Sequence, residues 1–553
     1  MTNLEIPLKT RSVTYRFFEM LPGMLSYGAI LLLIVLSLIN PTIAAIYLII
    51  VASTVLVKAL GTSFQMIFGN RKIEKAQKIN WHQRLKDLES PQQALEETKN
   101  KKSVHYQNLE YITNSDQYFP KPSEVYNAII VATYNEPYEV LEPTLRSIAA
   151  TTYDNDHLIV LLAYEERGGI VTEQTAQRLK KQFEGVFHSF DIVKHPKDMP
   201  DEVIGKGGNI TFAGRYLAAK LKNQHAINYQ NVIVTTLDSD NRPHPTYFDY
   251  ATYEYVCHPN RKNVSYQPVS LFLNNIWDVP APMRVIATGN SFWNIISSIR
   301  PHTLRNFASH SQPLDALIDM DFWSTRTIVE DGHQYWRSYF HFDGKYDVVP
   351  IYVPIYQDAV MSTTYVATLK AQFKQLRRWA YGASDVPYVA VRIFSRKRTV
   401  PFFSALSRLF RLIDGHVTLA CIPLLVTFGG YVPQLINSEA QRIVAANQLP
   451  EVLSLLQRIA MIGLIILVFL SMKLLPPRPA RYKRRRTIGM VLQWLLMPVT
   501  ALVYSSAAAY NAQTRLLIGK YLDVFDVTEK ATQVSIEKAK EKKSNSNRKW
   551  RFR

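Results

Sequence analysis

The sequence predicts an α/β domain with a parallel sheet, inserted between α-helical transmembrane segments. Three observations support this prediction. Short apolar runs alternate with segments of helical spacing between residues 126 and 240. Long stretches with almost no charge lie on both sides of that region, and basic residues flank those stretches. The chain has 553 residues, enough for two or three domains.

Five apolar segments approach the roughly 20 residues that cross a hydrocarbon core. They are Leu21–Ile39, Thr42–Phe68, Val417–Ile436, Ile459–Leu475 and Ile488–Tyr510. The stretch before the first segment is too long and too mixed in charge for the n-region of a cleaved signal, so we expect the first segment to be retained. Pro498 interrupts the fifth segment, which either crosses the membrane or dips in and returns.

The loops between these segments predict the orientation of the chain. "RPARYKRRR" (Arg478 to Arg486) has six basic residues and no acid, so we expect it on the cytoplasmic side. The loop from Asn437 to Gln457 carries three charges and suits the outer face. The region from about Arg71 to Arg411 is then cytoplasmic, in a multi-pass protein of the cell (plasma) membrane. We also expect a cytoplasmic tail, with seven basic residues and one acid between Lys540 and Arg553.

Composition narrows the class of protein. The chain has only 2 cysteines, which excludes a disulfide framework and a cysteine zinc site. Its net charge of +19 lies largely beside the apolar segments, and its aromatic residues (12%) show no stacking-module pattern. We therefore expect the lipid bilayer, and not nucleic acid, as the partner of the basic runs.

Four segments in the cytoplasmic region are predicted to be strands, and helical segments separate them; the first, second and fourth are buried apolar runs. The segments are "YNAIIVAT", "HLIVLLAYE", "HSFDIVKH" and "NVIVTTL". This alternation predicts a parallel sheet covered by helices on both faces. Ligands of such sheets bind beyond the carboxyl ends of the strands.

Two aspartates, Asp238 and Asp240, come directly after the fourth strand ("TTLDSD"). Two like charges at the end of a buried strand need a counter-charge. They are hard oxygen ligands of the kind that Mg²⁺ or Mn²⁺ prefers, and a diphosphate would supply the remaining oxygens. The alternative is that they cap the loop through Asx turns.

Two further phrases carry candidate functional residues. In "TIVEDGHQYWR", Glu330 and Asp331 fall at a predicted helix start. They either take part in the chemistry of the site or serve as N-terminal caps of the helix. In "QFKQLRRWAYG", Gln375, Arg378 and Trp379 place an amide, a cation and an indole within about one helical turn. Arg378 suits a phosphate and Trp379 suits the face of a sugar. The alternative is an amphipathic helix on the membrane surface.

The order "VATYNEP", "TTLDSD", "IVEDG" and "QLRRW", between two apolar segments and three more, resembles the membrane-embedded glycosyltransferases of family 2. That family includes cellulose, chitin and hyaluronan synthases, and the resemblance covers about residues 21–515. It implies a GT-A (Rossmann-like) fold, a nucleotide-diphosphate sugar donor, Mg²⁺ or Mn²⁺, and inversion at the anomeric carbon.

The resemblance also implies roles for individual residues. Asp238 and Asp240 match the metal-binding Asp-x-Asp motif, and Asp331 matches the general base. The nucleotide and donor side comprises Thr133, Tyr134, Glu136, Glu165 and Lys206. Glu165 lies in "YEER", where the family commonly has an aspartate pair, and "GKGGN" around Lys206 does not fit a P-loop. The diphosphate and acceptor side comprises Gln375, Arg378 and Trp379.

These expectations divide the chain into six parts. Residues 1–70 form an N-terminal stub and two transmembrane helices, and residues 71–120 form a charged, solvated helical connector. Residues 121–365 form the catalytic domain, and residues 366–411 form amphipathic interfacial helices with "QLRRW". Residues 412–515 form a C-terminal transmembrane region with three apolar segments, and residues 516–553 form a basic tail. We expect a hexosyltransferase that polymerises a polysaccharide and exports it. The alternatives are transfer of one sugar to a lipid-linked acceptor, and a non-catalytic membrane scaffold that binds nucleotide sugar.

Overall fold

The computed structural model describes residues 4–7, 11–224 and 226–524. The strands are β1 (Tyr126–Thr133), β2 (Leu158–Glu165), β3 (Ser189–His195), β4 (Val232–Asp238), β5 (Arg242–Pro243), β6 (Val264–Leu271), β7 (Ser311–Pro313) and β8 (Asp347–Tyr356). They form one eight-stranded sheet in the order β3-β2-β1-β4-β7-β6-β8-β5. The prediction of an α/β domain between groups of apolar helices is confirmed.

The helices occupy three regions of the described chain. Before the sheet come α1 (Val13–Ile39), α2 (Pro41–Gln77), α3 (Trp81–Glu89), α4 (Pro91–Glu97) and α5 (Val104–Asn114). Among the strands lie α6 (Tyr138–Ala149), α7 (Gly169–Gln182), α8 (Lys206–Gln224), α9 (Tyr247–Cys257), α10 (Ala281–Ser298), α11 (Leu314–Asp319) and α12 (Glu330–His341). After the sheet come α13 (Tyr365–Ala380), α14 (Asp385–Ile393), α15 (Phe402–Phe428), α16 (Val432–Ile436), α17 (Val444–Asn447), α18 (Leu449–Leu474), α19 (Arg485–Leu492), α20 (Met497–Thr500) and α21 (Ala507–Ile518).

The four predicted strands pair in parallel, with β1 between β2 and β4 and with β3 outside β2. Side chains of β1 alternate between two hydrophobic clusters, because successive residues of a strand point to opposite faces. Ile129 and Val131 pack into the cluster that includes α6 and α9, and Ala128 and Ile130 into the one that includes α8. The sheet is therefore covered on both faces, as predicted.

The second half of the sheet contains both parallel and antiparallel strand pairs. This pairing was not apparent in the sequence. The short strand β7 joins β4 to β6 through antiparallel pairing, whereas β6 and β8 pair in parallel. The last strand, β5, pairs antiparallel with β8. This half places residues 239–243 and 356–358 side by side, next to the end of β4.

The segment 71–120 is helical, as predicted, but the expectation that it is simply solvated is wrong. One face of α3, α4 and α5 is buried in the domain core, including Leu85 and Leu109. The indole of Trp81 stacks on Tyr250 with ring centroids 3.7 Å apart. His105 bonds the Tyr253 hydroxyl at 2.9 Å. These helices are part of the domain, because their apolar residues recur at helical spacing beneath the charged surface.

Five helical segments in the described chain are long and apolar enough to cross a membrane, as the sequence predicted. They are Val13–Ile39, Pro41–Gln77, Phe402–Ile436, Leu449–Leu474 and Arg485–Ile518. The third of them begins with α15 at Phe402. This helix continues without a break across residues 411 and 412, where the sequence predicted the boundary between the interfacial helices and the C-terminal transmembrane region.

The first four apolar segments run between two ends of the molecule. At the end away from the domain, Asn437 donates from Nδ2 to the Ser37 carbonyl at 3.1 Å, so the loop after α16 meets the turn between α1 and α2. At the domain end, Lys473 at the end of α18 forms an ion pair with Glu74 of α2 at 2.6 Å. Four passages bring the chain back to the domain end.

The fifth apolar segment, residues 485–518, begins and ends against the domain. Near its start, Arg486 donates to the Trp277 carbonyl at 2.8 Å. Just after its end, the Leu522 amide donates to the Tyr381 hydroxyl at 3.3 Å. Of the two arrangements that the sequence left open, this geometry favours the one in which the segment returns. The greater part of the basic tail lies outside the described residues.

Cysteine labelling tests this arrangement. Ser438 is exposed at the far end, Glu184 is exposed on the domain, and both native cysteines are buried. We expect an impermeant maleimide to label Ser438→Cys in intact cells and Glu184→Cys only after permeabilisation. Labelling of both variants in intact cells would contradict a cytoplasmic domain.

Candidate functional site

Three of the predicted site residues lie at the carboxyl ends of parallel strands. Thr133 ends β1, Glu165 ends β2 and Asp238 ends β4. Parallel strands that are neighbours end at the same edge of a sheet, so these residues meet although they are distant in sequence. Asp240 lies two residues beyond β4 in the same loop region.

A cavity of about 930 Å³ opens at this edge. All eleven residues proposed from the sequence line it: Thr133, Tyr134, Glu136, Glu165, Lys206, Asp238, Asp240, Asp331, Gln375, Arg378 and Trp379. The volume is that of a site for a cofactor-sized ligand with room for a second molecule. The structure thus brings the predicted residues together; their individual roles remain predictions.

Lys206, the first residue of α8, supplies the counter-charge that the aspartates require. Its ammonium lies 2.9 Å from Asp238, 3.3 Å from Asp331 and 3.9 Å from Glu330. Burial by itself would lower the pKa of Lys206, but the three carboxylates outweigh it and the net shift is upward. One fixed cation therefore joins the strand-end Asp238 to the start of α12.

Glu330 and Asp331 begin α12, as predicted, and the N-cap position is taken by Val329 without a side-chain cap. Glu330 is 3% exposed, and its Oε2 has no hydrogen-bond partner among the described residues. Burial and then the charge of Asp331 raise the pKa of Glu330 to about 8, although Lys206 opposes the shift. Its surroundings therefore favour the protonated form of Glu330.

We expect Glu330→Gln to flatten the dependence of stability on pH. The folded pKa of Glu330 is above its ordinary value of 4.5, so folding takes up a proton between about pH 4.5 and 8. Its contribution is fully present below about pH 4.5 and is lost as pH rises towards 8, by up to about 1.4 kcal/mol per pH unit. Thermal unfolding from pH 5 to 8 measures the slope. An equal slope in both proteins would contradict a buried, protonated Glu330.

Asp240 is held by the second half of the sheet. It is 5% exposed, and its Oδ2 accepts from the Asp358 amide at 3.1 Å, across 118 residues. Asp238 pairs with Lys206. Both carboxylates thus bond to groups distant in sequence, which a purely local Asx turn does not explain.

The donor set fits a divalent cation that takes most of its ligands from elsewhere. Two carboxylates, Asp238 and Asp240, line one cavity beside a lysine ammonium, which already occupies a place where positive charge is favourable. Among residues 4–7, 11–224 and 226–524 no group of three or more His, Cys, Asp or Glu side chains is arranged to hold a metal. A cation here would need oxygens from a ligand such as a diphosphate.

The loop after β1 is shaped by Glu136. Its Oε2 accepts from the Thr133 hydroxyl at 2.7 Å and from the Tyr134 amide at 2.8 Å. These bonds close a tight turn at the end of the strand. Glu136 therefore acts on the cavity by fixing the backbone of the loop, in addition to lining it.

Glu165 belongs to a buried charged group that the sequence did not reveal. It accepts from Arg167 at 2.7 Å, and His195 lies between Glu165 and Glu202 at 3.1 Å from each. Burial opposes protonation of His195, but the two carboxylates prevail and raise its pKa to about 9. His195 ends β3, and only the parallel sheet brings that position beside Glu165.

The motif of α13 forms a third wall of the cavity. Trp379 is 38% exposed, and its ring lies 5.9 Å from that of Phe272. Gln375 accepts a bond from Gln372 at 3.0 Å. The buried side chains of α13 form a stripe next to Gln375 and Trp379, and two of them, Leu376 and Ala380, also line the cavity. The amphipathic character seen in the sequence and the cavity-lining role are therefore compatible.

Several lining residues had no signal in the sequence. Asn209 donates to the Ala163 carbonyl at 2.9 Å and ties α8 to the end of β2. Behind the cavity wall, the fully buried His310 lies 3.8 Å from Asp331, and burial lowers the pKa of His310. The cavity also continues past the predicted residues to a group of arginines, Arg305, Arg408 and Arg411. Isolated polar residues of this kind belong to no periodic pattern, so the sequence alone does not identify them.

No protein-family model matches the chain, and no curated protein sequence does. A solved mannosyltransferase from Pyrobaculum calidifontis, in complex with GDP-mannose and Mn²⁺, is 15% identical and has a TM-score of 0.40 over 83% of this chain and 100% of that chain. S. aureus TarS 1–349 in complex with UDP-GlcNAc is 12% identical and has a TM-score of 0.34 over 72% of this chain and 93% of that chain. At these TM-scores neither likeness is an argument for the function of this chain.

Proposed function

We propose that the protein is an inverting membrane glycosyltransferase of family 2 with a GT-A catalytic domain. It would use a nucleotide-diphosphate sugar as donor and Mg²⁺ or Mn²⁺ as cofactor. The observation that carries the proposal is the position of Lys206, whose ammonium contacts both the strand-end Asp238 and the helix-start Asp331. A donor side and an acceptor side thus meet within one cavity, at the edge of the sheet where ligands bind.

On the donor side, the loop after β1 and Glu165 face the nucleotide. Lys206 and Arg378 line the cavity and supply fixed positive charge to the diphosphate. Asp238 and Asp240 would hold the cation. When bound, that cation neutralises charge that develops on the leaving diphosphate.

On the acceptor side, Asp331 serves as the general base. Its side chain is 18% exposed and lies at the cavity wall, one helical turn from Tyr335. It accepts the proton of an acceptor hydroxyl as that oxygen attacks the anomeric carbon opposite the leaving diphosphate. Attack from the opposite face inverts the configuration. Trp379 and Phe272 provide flat walls on which a sugar ring can pack.

The product is a separate part of the proposal. "QLRRW" favours repeated addition by resemblance, so the proposed product is a polysaccharide. The catalytic domain faces the cytoplasm in this proposal, where nucleotide sugars would reach the cavity, because the basic loop before the fifth apolar segment contacts the domain.

Nucleotide titration tests the donor assignment. Nucleoside diphosphates with the common bases are titrated into detergent-purified protein with Mn²⁺, with Mg²⁺ and with chelator, and the matching monophosphates serve as controls. We expect one diphosphate to bind, with a cation requirement and a preference over its monophosphate. Failure of every diphosphate to bind would contradict the proposal. Product length on a sizing gel then separates repeated from single addition.

A further inference from the structure

Three neighbouring arginines line the cavity near α15, in addition to Arg300, which donates to Gln65 of α2. Arg305 lies in the segment between α10 and β7, and Arg408 and Arg411 lie one turn apart on α15. None of the three forms an ion pair with an acid of the described chain. Arg305 lies 4.9 Å from the Trp336 ring, and Arg408 donates to the Tyr335 hydroxyl.

The acids that face this group do not balance it. Asp385, which also lines the cavity, pairs with His333 at 2.6 Å. Burial lowers the pKa of Arg305, Asp385 opposes that shift, and the cations of Arg408 and Arg411 lower the pKa further. Arg411 is exposed and Arg305 and Arg408 are half-buried, yet three neighbouring cations that line one cavity repel each other, and an anion bound between them relieves that repulsion. The group is therefore arranged to accept negative charge from a ligand.

The position of the group relative to Asp331 limits what that ligand can be. Tyr335 and Trp336, which contact Arg408 and Arg305, lie four and five residues of α12 beyond Asp331, or about 6 to 7.5 Å along the helix axis. A monosaccharide unit spans a comparable distance. A hydroxyl at Asp331 and an anionic group at the arginines can thus belong to one acceptor, with a sugar between them.

The course of α15 indicates the chemistry of the ligand beyond its anionic group. One face of this helix lines the cavity, with Arg408, Arg411, Leu412, Gly415, His416 and Leu419 in order. Within the apolar segment Phe402–Ile436, that face is cationic at Arg408 and Arg411 and mainly small or apolar after them, with His416 as the exception. A molecule on it would have a charged group at the domain end and an apolar part towards the bilayer.

We propose that the acceptor is a saccharide carried on a phosphorylated lipid, with its phosphate or diphosphate bound by Arg305, Arg408 and Arg411. Its sugar hydroxyl lies at Asp331, and its apolar chain leaves the cavity along α15 into the bilayer. This inference rests on the proposed glycosyltransferase function and names the class of its acceptor.

The test measures binding of a long-chain prenyl diphosphate to the full-length protein in detergent, with prenyl alcohol and inorganic diphosphate as separate arms. Arg411→Gln removes one cation with little loss of packing, because the Arg411 side chain is exposed. Arg396→Gln, an exposed arginine before α15, is the matched control. We expect Arg411→Gln to weaken prenyl diphosphate binding about tenfold or more, the usual effect of losing one charge-assisted bond, and Arg396→Gln to leave it unchanged.

Each arm can overturn the inference. Equal weakening by both variants would indicate general attraction to the basic surface. If prenyl alcohol binds as tightly as prenyl diphosphate, the phosphate is not recognised. If inorganic diphosphate binds as tightly as prenyl diphosphate, the lipid is not recognised. Nucleotide titration of the same wild-type sample separates the two proposals: if nucleotide binds and prenyl diphosphate does not, the acceptor assignment is wrong and the glycosyltransferase proposal stands.

Discussion

Asp331→Asn is expected to lower sugar transfer by about 10²- to 10⁴-fold, the usual contribution of a general base. Asparagine keeps the shape of the side chain but cannot accept the proton of the acceptor hydroxyl. Asp331 lies 3.3 Å from Lys206 and on the acceptor side of it, so nucleotide affinity should change little. Titration calorimetry and product release, measured on one detergent-purified sample, give both quantities.

The control for this variant is Asp116→Asn, which removes an exposed carboxylate outside the cavity and should leave transfer unchanged. If Asp331→Asn lowers transfer only a few-fold, another carboxylate is the base, and Glu330 and Asp358 are the candidates that line the same cavity. If nucleotide binding collapses as well, the role of Asp331 is structural.

Asp240→Asn is expected to abolish turnover of the donor. Asp240 is nearly buried, and the Asp358 amide holds its carboxylate in place. Loss of its charge removes one of the two hard oxygen ligands that are proposed to hold the cation. Asp238→Asn should weaken donor binding strongly, because Asp238 also positions Lys206.

Donor hydrolysis with Mn²⁺ and with chelator measures the effect of Asp240→Asn. Asp156→Asn, at an exposed position of the domain, is the matched control. Chelator-resistant hydrolysis at the wild-type level would remove the cation from the reaction. Cation-dependent turnover by Asp240→Asn at the wild-type rate would show that other groups hold it.

The first half of the sheet and the strand-end residues could be predicted from local pattern. The strands β1, β2 and β4 are nearly continuous apolar runs that end in polar residues, and such runs are recognised directly, whereas β3 mixes apolar and polar residues. The short strands β5 and β7, of two and three residues, carry no such pattern. Their pairing depends on contacts between distant segments, which a single sequence does not display.

Contacts between distant segments also account for the site residues that the sequence did not predict. The contact of His195 with Glu165 requires β3 beside β2, and the group formed by Arg305, Arg408 and Arg411 requires α15 beside α12. The return of the fifth apolar segment to the domain also depends on tertiary contacts, such as the bond of Arg486 to the Trp277 carbonyl. Hydropathy measures the length of that segment but not the position of its ends.

Two expectations about the product rest on different features of the chain. Repeated addition rests on the "QLRRW" resemblance, whereas the arginines near α15 favour a lipid-linked acceptor. The two are compatible if a lipid carries the growing saccharide. They are incompatible if the only product is a free polymer.

The most direct test of the central claim is turnover of a panel of radiolabelled nucleotide sugars by the purified full-length protein and its Asp331→Asn variant. We predict that the wild-type protein releases the nucleoside diphosphate from one donor class, transfers the sugar to an acceptor, and requires a divalent cation. The variant should bind that nucleotide and transfer almost no sugar. Cation-independent release, or equal transfer by both proteins, would contradict the assignment of this cavity as the site of glycosyl transfer.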